Sequence, residues 1–132
     1  MSAYVLDTNA IAHILHRDIQ VTNRFQNVYI PANTFFGCPF VYYEVRRGLL
    51  ARDAKMQMAA FETLFASFRW DEYTRADWSL AATLWKQRKA MGRPVDDADL
   101  LIAVFALNRA AILITDNVKD FDGLGVTLEN WK

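Results

Sequence analysis

Apolar residues fall into two rhythms along this chain. Short unbroken runs, such as Ala3-Tyr4-Val5-Leu6 and Ile112-Leu113-Ile114-Thr115, have the length and branching of buried strands. Between them, apolar positions recur at three- and four-residue steps, the mark of amphipathic helices. The run at 3 to 6 feeds a helix from Asp7 to His16, with Ile11, Ile14 and Leu15 near one face and Thr8 and Asn9 as candidate capping residues. A second helix is predicted from about Val21 to Val28. Pro31 to Pro39, with Asn33, Thr34 and Gly37, reads as a loop with room for a short strand. A helix from Phe40 to Leu50 carries Glu44, Arg46 and Arg47, and Gly48 stands near its end.

The strongest helical signal lies between Ala54 and Phe68, where Phe61, Leu64, Phe65 and Phe68 follow one another at helical steps. Trp70 to Tyr73 reads as a short strand. Arg75 to Met91 resumes the helical period and is ended by Gly92 and Pro94. Asp97 to Asn108 is a further helix, the strand at 112 to 115 stops at Asp116, and Val126 to Leu128 is the last strand. Short apolar strands alternating with amphipathic helices imply an α/β layer fold around a mainly parallel sheet. There is no repeat, low-complexity tract or linker, so residues 1–132 are expected to form a single domain.

Composition narrows the function. Apolar residues make up 53% and charged residues 23%, which excludes a disordered chain. Lys plus Arg and Asp plus Glu number 15 each, so a nucleic-acid role would rest on local patches. No apolar run is long enough to span a bilayer, and no basic segment precedes an apolar one at the N-terminus. The single cysteine, Cys38, rules out an internal disulfide and fits a reducing cytoplasm. Set in Phe-Gly-Cys-Pro-Phe, it reads as a small buried residue rather than a nucleophile. The aromatic residues, nine Phe, five Tyr and four Trp, are enough to serve a partner interface besides the core.

The candidate chemistry is acidic. Asp7 and Asp116 directly follow apolar strands, and in a parallel sheet the crevice outside the strands' carboxyl ends is the usual ligand site. Asp96, Asp97 and Asp99 open a helix; capping accounts for the first two, while Asp99 abuts the apolar run Leu100-Leu101-Ile102-Ala103. Glu44 is embedded between Val41-Tyr42-Tyr43 and Val45. Converging carboxylates raise one another's pKa unless a cation compensates them, and hard oxygen donors suit Mg²⁺ or Mn²⁺. For any one of these acids alone, capping or surface solvation is the better reading, and only the set in combination points to a metal site.

In combination these blocks resemble the PIN-domain ribonucleases, above all the VapC-type toxins of bacterial toxin–antitoxin pairs. The resemblance runs through Leu6-Asp7-Thr8-Asn9, Tyr43-Glu44-Val45-Arg46-Arg47-Gly48-Leu49, Gly92-Arg93-Pro94-Val95, Asp99-Leu100-Leu101-Ile102-Ala103, Ile114-Thr115-Asp116-Asn117, Asp120-Phe121 and Leu128-Glu129-Asn130-Trp131. It implies a PIN-like three-layer α/β/α domain in which Asp7, Glu44, Asp99 and Asp116 are catalytic acids that bind Mg²⁺ or Mn²⁺. Many relatives carry Asn at the position of Asp116. Thr8, Asn9 and Thr115 would orient the acids or a bound water, with a capping or turn role as the alternative. Asp120 is either an outer acid or a fastener of the closing loop.

The implied reaction is hydrolysis of RNA phosphodiesters by an activated water, leaving 5′-phosphate and 3′-hydroxyl ends. Arg46 and Arg47, with Lys86, Lys89 and Arg93 and Arg88 nearby, are the candidate RNA contacts; a solvated helix face is the other reading of that charge. His13 and His16, three apart, lack the further ligands a zinc site needs, so packing or surface roles are expected. The resemblance also implies a homodimer, a VapB-type antitoxin as partner, and transfer RNA as one candidate substrate. A haloacid dehalogenase-type phosphotransferase would want a second aspartate where Asn9 stands. A response-regulator receiver would want an acidic pair after the first strand, and has no place for Glu44 or Asp99. A PIN module that binds RNA or a protein without cutting is the alternative from another class.

Overall fold

The computed structural model describes residues 1–132. Five strands, β1 (Ala3–Leu6), β2 (Thr34–Gly37), β3 (Arg69–Trp70), β4 (Ile112–Ile114) and β5 (Leu128–Glu129), form one sheet in the order β3-β2-β1-β4-β5. Every pairing is parallel. Six helices connect them: α1 (Thr8–Leu15), α2 (Ile19–Val28), α3 (Pro39–Ala51), α4 (Lys55–Ala66), α5 (Arg75–Ala90) and α6 (Asp97–Asn108). A 3-10 turn at Val118–Phe121 leads toward the last strand.

The layers follow from burial along β1. Successive strand residues point to opposite faces, yet Tyr4, Val5 and Leu6 are all buried. Both faces of the sheet are therefore covered, as parallel sheets require. Phe35 of β2 stacks on Tyr4 at 5.0 Å between centroids and on Phe68 at 5.6 Å, tying the sheet to the end of the α4 segment. At Gly37 a β carbon would lie 2.9 Å from Cε2 of Phe65, so only glycine lets that ring rest on the strand. In α6, Leu100 and the whole stretch from Ile102 to Ala106 are buried, which makes it the most enclosed helix.

Helix starts are chemically marked. Asp18 caps α2 through Val21 N at 3.1 Å, and Pro39 opens α3 directly after Cys38. Thr74 and Asp77 form a reciprocal capping box on α5. Asp77 also belongs to a buried ionic knot. Arg109, just past α6, donates from Nη2 to Asp77 at 3.0 Å and from Nε to Asp71 at 2.8 Å. Its guanidinium lies 3.7 Å from the centroid of the Phe105 ring, a stacked cation in an apolar setting.

The sheet is wholly rather than mainly parallel. Helix α2 starts two residues earlier than its apolar period suggests, because the Asp18 cap sets its first turn. The strand expected at Trp70 to Tyr73 is instead Arg69–Trp70, and that expected at Val126 to Leu128 is Leu128–Glu129. Both are two-residue edge strands, whose extent is set by pairing with a neighbour rather than by any alternation of their own. The junction aspartate Asp7, not Thr8 or Asn9, caps α1.

Candidate active site

The site is built where β1 and β4 end side by side. Asp7 N continues the ladder by donating to Ile114 O at 2.9 Å, so the residues that follow each strand emerge together. Asp7 Oδ1 accepts from Thr8 N at 2.7 Å, and Oδ2 accepts from the Thr115 hydroxyl at 2.9 Å and the Asn9 amide at 3.2 Å. Asn9 also donates to Thr115 at 3.1 Å, and its carbonyl accepts from Asp116 N at 3.0 Å. These bonds fix both strand exits against the first turn of α1. Glu44, on the second turn of α3, is reached by the Thr8 hydroxyl at 2.8 Å. Asp99 stands in the first turn of α6.

Electrostatics connects the four acids. Burial raises the Asp7 pKa against its hydrogen bonds from Thr115 and Thr8, and the charges of Glu44 and Asp116 push it further up. Asp99 is pushed up to about 6 by burial and then by the charges of Asp120, Asp7, Asp96 and Glu44. No lysine or arginine is among the main causes of either shift. The donor set is thus all oxygen, anionic and internally repulsive, which fits a hard divalent cation. As the side chains stand, no three close into a cage for a bare ion. Mg²⁺ retains several waters and takes one or two carboxylates directly, so an open arrangement suits it.

The metal-free protein should feel this repulsion. Asp99→Asn should gain about 1 kcal/mol at pH 7.5 in EDTA, since solvent at this partly open position screens much of the ~1.4 kcal/mol each tenfold displacement carries. Between pH 4 and 6 the folded wild type holds a proton that the unfolded chain has released, so Asp99's contribution to stability falls as pH rises through about 6. The advantage of the Asp99→Asn variant should accordingly fade by pH 4. Urea unfolding across that range measures it, and a pH-independent difference would refute the linkage.

The remaining candidates separate. Asp120 lies on the 3-10 turn and is the largest charge acting on Asp99, which places it beside the centre. Asp96 occupies the cap position of α6 but makes no side-chain cap bond, and Asp97, in the first turn, lines a hollow with Trp85 and Leu101. Arg47 sits 3.8 Å from Glu44, whereas Arg46 turns to Glu62 of α4 at 3.1 Å. Helix geometry dictates this: residues three apart share a face, residues two apart do not. Lys86 and Lys89 are exposed, and Arg93 approaches Asp122 at 3.8 Å. Arg88 is buried, donating to the carbonyls of Arg93 and Asp122 at 2.9 Å each, so it fastens the closing loop rather than joining a basic stripe. Cys38 is buried beside the Tyr73 hydroxyl, and burial pushes its thiol up to about 11, which leaves it protonated and inert at neutral pH.

One residue of the site escaped sequence reasoning. His13 Nε2 lies 2.7 Å from Asp116 Oδ2, and since an ionised carboxylate only accepts, the imidazole donates. Its spacing to His16 is uninformative; the useful interval is four residues back to Asn9, one turn earlier on the face that meets β4. His16 faces Gln57 instead.

A wholly parallel 3-2-1-4-5 sheet with an acidic rim at its carboxyl ends marks an α/β protein whose candidate site is a set of carboxylates at the strand ends. The pattern of the PIN domain family matches residues 4–125, and the chain belongs to that family. It is 28% identical to ribonuclease VapC1 of Haemophilus influenzae over 120 residues, 89% of each chain. It is 34% identical to ribonuclease VapC19 of Mycobacterium tuberculosis over 77 residues, 58% of this chain and 62% of that relative's length. Among solved structures it resembles VapBC2 of Rickettsia felis, bound to a promoter DNA fragment, with TM-score 0.85, 25% identity, and 98% and 99% of the two chains covered. No helix is long and apolar enough to cross a membrane.

Proposed function

We propose that this chain is a VapC-type endoribonuclease dependent on Mg²⁺ or Mn²⁺, cutting RNA to leave 5′-phosphate and 3′-hydroxyl ends. The observation that carries this reading is the convergence of Asp7, Glu44, Asp99 and Asp116 on the sheet's carboxyl rim, with Asp7 and Asp99 lacking any basic partner. Asp7 and Asp99 would hold the cation most directly, with Glu44 and Asp116 beside them. A cation bound there supplies Lewis acidity at the scissile phosphate and an attacking water that ionises near neutral pH.

The chain's own residues orient that centre. Thr115 and Asn9 lock Asp7 Oδ2 toward β4, leaving the carboxylate's unused lone pair for a ligand. Thr8 holds Glu44 by one oxygen, and His13 does the same for Asp116. Such hydrogen bonds fix ligand orientation in metal sites. Residues 1–132 act as one domain in this reading. The likeness to VapC proteins extends it to a cytoplasmic homodimer restrained by a VapB-type antitoxin, with transfer RNA as substrate.

Purified protein incubated with folded transfer RNA should cut it in Mg²⁺ or Mn²⁺ and not in EDTA, and the new ends should ligate as 5′-phosphates. Cleavage that persists in EDTA, or ends that carry 5′-hydroxyl, would overturn the chemistry. Binding without cleavage in either metal would make the chain an RNA-binding module.

A further inference from the structure

One buried cation ties together two loops behind the acidic rim. Arg88, in the last turn of α5, is 7% exposed, yet neither of its acceptors is a carboxylate. Its Nε donates to Arg93 O and its Nη1 to Asp122 O, at 2.9 Å each. The Arg88 carbonyl also accepts from Arg93 N at 2.9 Å, so Arg93 is gripped by both its amide and its carbonyl. Backbone carbonyls satisfy the guanidinium's donors without neutralising its charge, and burying a charge in that way is costly. A lysine at the same place would simply reach out to water. The forked guanidinium instead spans two separate stretches of backbone, with donors fixed relative to one another.

Each tied stretch leads to an acid. Arg93 lies in the connection from α5 to α6, and the first turn of α6 carries Asp99. Asp122 closes the 3-10 turn that carries Asp120, and this turn packs against α6. Phe121, 1% exposed, anchors the turn in the core, and the Arg88 contact fixes its exit. Gly123 follows at φ +82, a left-handed turn that aims the Asp122 carbonyl back at Arg88. Asp120 itself is exposed and its carboxylate has no hydrogen-bond partner, so the backbone alone decides where it stands. It nonetheless stands close enough to be the largest charge acting on Asp99.

We infer that Arg88 is a positioning residue: by clamping the Arg93 and Asp122 carbonyls together it holds the turn carrying Asp120 against the helix carrying Asp99. In the metal-free protein the clamp enforces a repulsion between two carboxylates. Where a cation binds the centre, the same clamp adds a negative charge to its surroundings. That second consequence rests on the metal-dependent nuclease reading, whereas the first does not.

Double-mutant cycles of Arg88→Met against Asp120→Asn test this, and they cancel whatever Arg88→Met costs the fold on its own. In EDTA at pH 7.5, Asp120→Asn should raise the urea midpoint by about 0.3 M through relief of repulsion, and by less than about half of that in the Arg88→Met background. In calorimetric titration with Mn²⁺, Arg88→Met should weaken binding about tenfold, the lower end for residues that orient a metal site from behind. With Asp120→Asn already present, Arg88→Met should weaken it little further. The sign is decisive, because removing a positive charge that acted only through its field would tighten Mn²⁺ binding. Gly123→Val, which strains the left-handed turn and displaces the Asp122 carbonyl while Arg88 stays, should reproduce the loss. Additive effects in the EDTA cycle, or bound Mn²⁺ whose affinity Arg88→Met leaves unchanged or raises, would overturn the inference. Coupling in EDTA with no Mn²⁺ bound by unaltered protein keeps the positioning role and removes the nuclease reading. Bound Mn²⁺ with additive effects in both cycles removes the positioning role alone.

Discussion

Asp7→Asn protein should keep its fold and lose metal-dependent RNA cleavage by about a thousandfold, near 4 kcal/mol of transition-state stabilisation. Of the roughly four lone-pair sites on a carboxylate, three are committed to Thr8 N, the Thr115 hydroxyl and the Asn9 amide. The charge and the remaining lone pair are what a cation would use, and both disappear in the variant. The fold survives because asparagine caps a helix as well as aspartate does and its carbonyl can still meet Thr8 N. Its amide then faces the Asn9 amide, donor against donor, a loss offset by removing a buried charge that burial already disfavours. Initial rates in Mg²⁺ and in Mn²⁺, read beside circular dichroism, test this. Asp96→Asn is the comparison: its side chain makes no cap bond, and its loss should stay under about tenfold. Equal cleavage by wild type and Asp7→Asn would remove Asp7 from the mechanism.

The largest stability effect is expected far from the site. Asp77 is fully buried and the Arg109 side chain is 7% exposed, so each is the other's main compensation for lost water. Removing one partner of such a pair leaves an uncompensated charge and typically costs about 3–5 kcal/mol. Asp77→Ala or Arg109→Met should unfold at correspondingly lower urea, while the double change to apolar residues should recover much of the loss. The pH dependence has a definite sign. Burial pushes the Asp77 pKa up, but hydrogen bonds from Arg109, Thr74 N and Asn108 outweigh it and hold the carboxyl below its usual 3.8. Its stabilisation is therefore present above pH 4 and lost as pH falls through the lower folded value. Acid unfolding of Asp77→Asn should lack that step; an unchanged acid limb would refute the assignment.

The two charged systems show what a chain reveals of itself. The central strands were legible because β1 and β4 are unbroken apolar runs buried on both faces, and α4 because Phe61 and Phe65 mark one side, although the helix stops at Ala66, short of Phe68. The edge strands were legible only approximately, since Arg69–Trp70 and Leu128–Glu129 owe their extent to a neighbour. The four acids stood out through the ordered blocks around them, not through spacing. Asn9 and Thr115 are linked across 106 positions, and His13 and Asp116 across 103, intervals that no local pattern encodes. Asp77 and Arg109 gave no signal at all, because a charged residue at either end of a helix reads as surface until a partner is seen to enclose it. Arg46 and Arg47 were indistinguishable as neighbours, and only the rotation of α3 separates them.

The pairing of β1 with β4 also governs when the centre can exist. Asp7 leaves the ribosome 108 positions ahead of Thr115, its hydrogen-bond partner, and Glu44 and Asp99 emerge in between. Closing so long a loop carries an entropic cost before any contact rewards it, which makes parallel pairing of this kind a late event. A nascent chain that has passed Asp99 but not β4 holds three of the four acids and no rim on which to gather them. Translation must pass β4 before the centre forms, so the growing chain is inert until then.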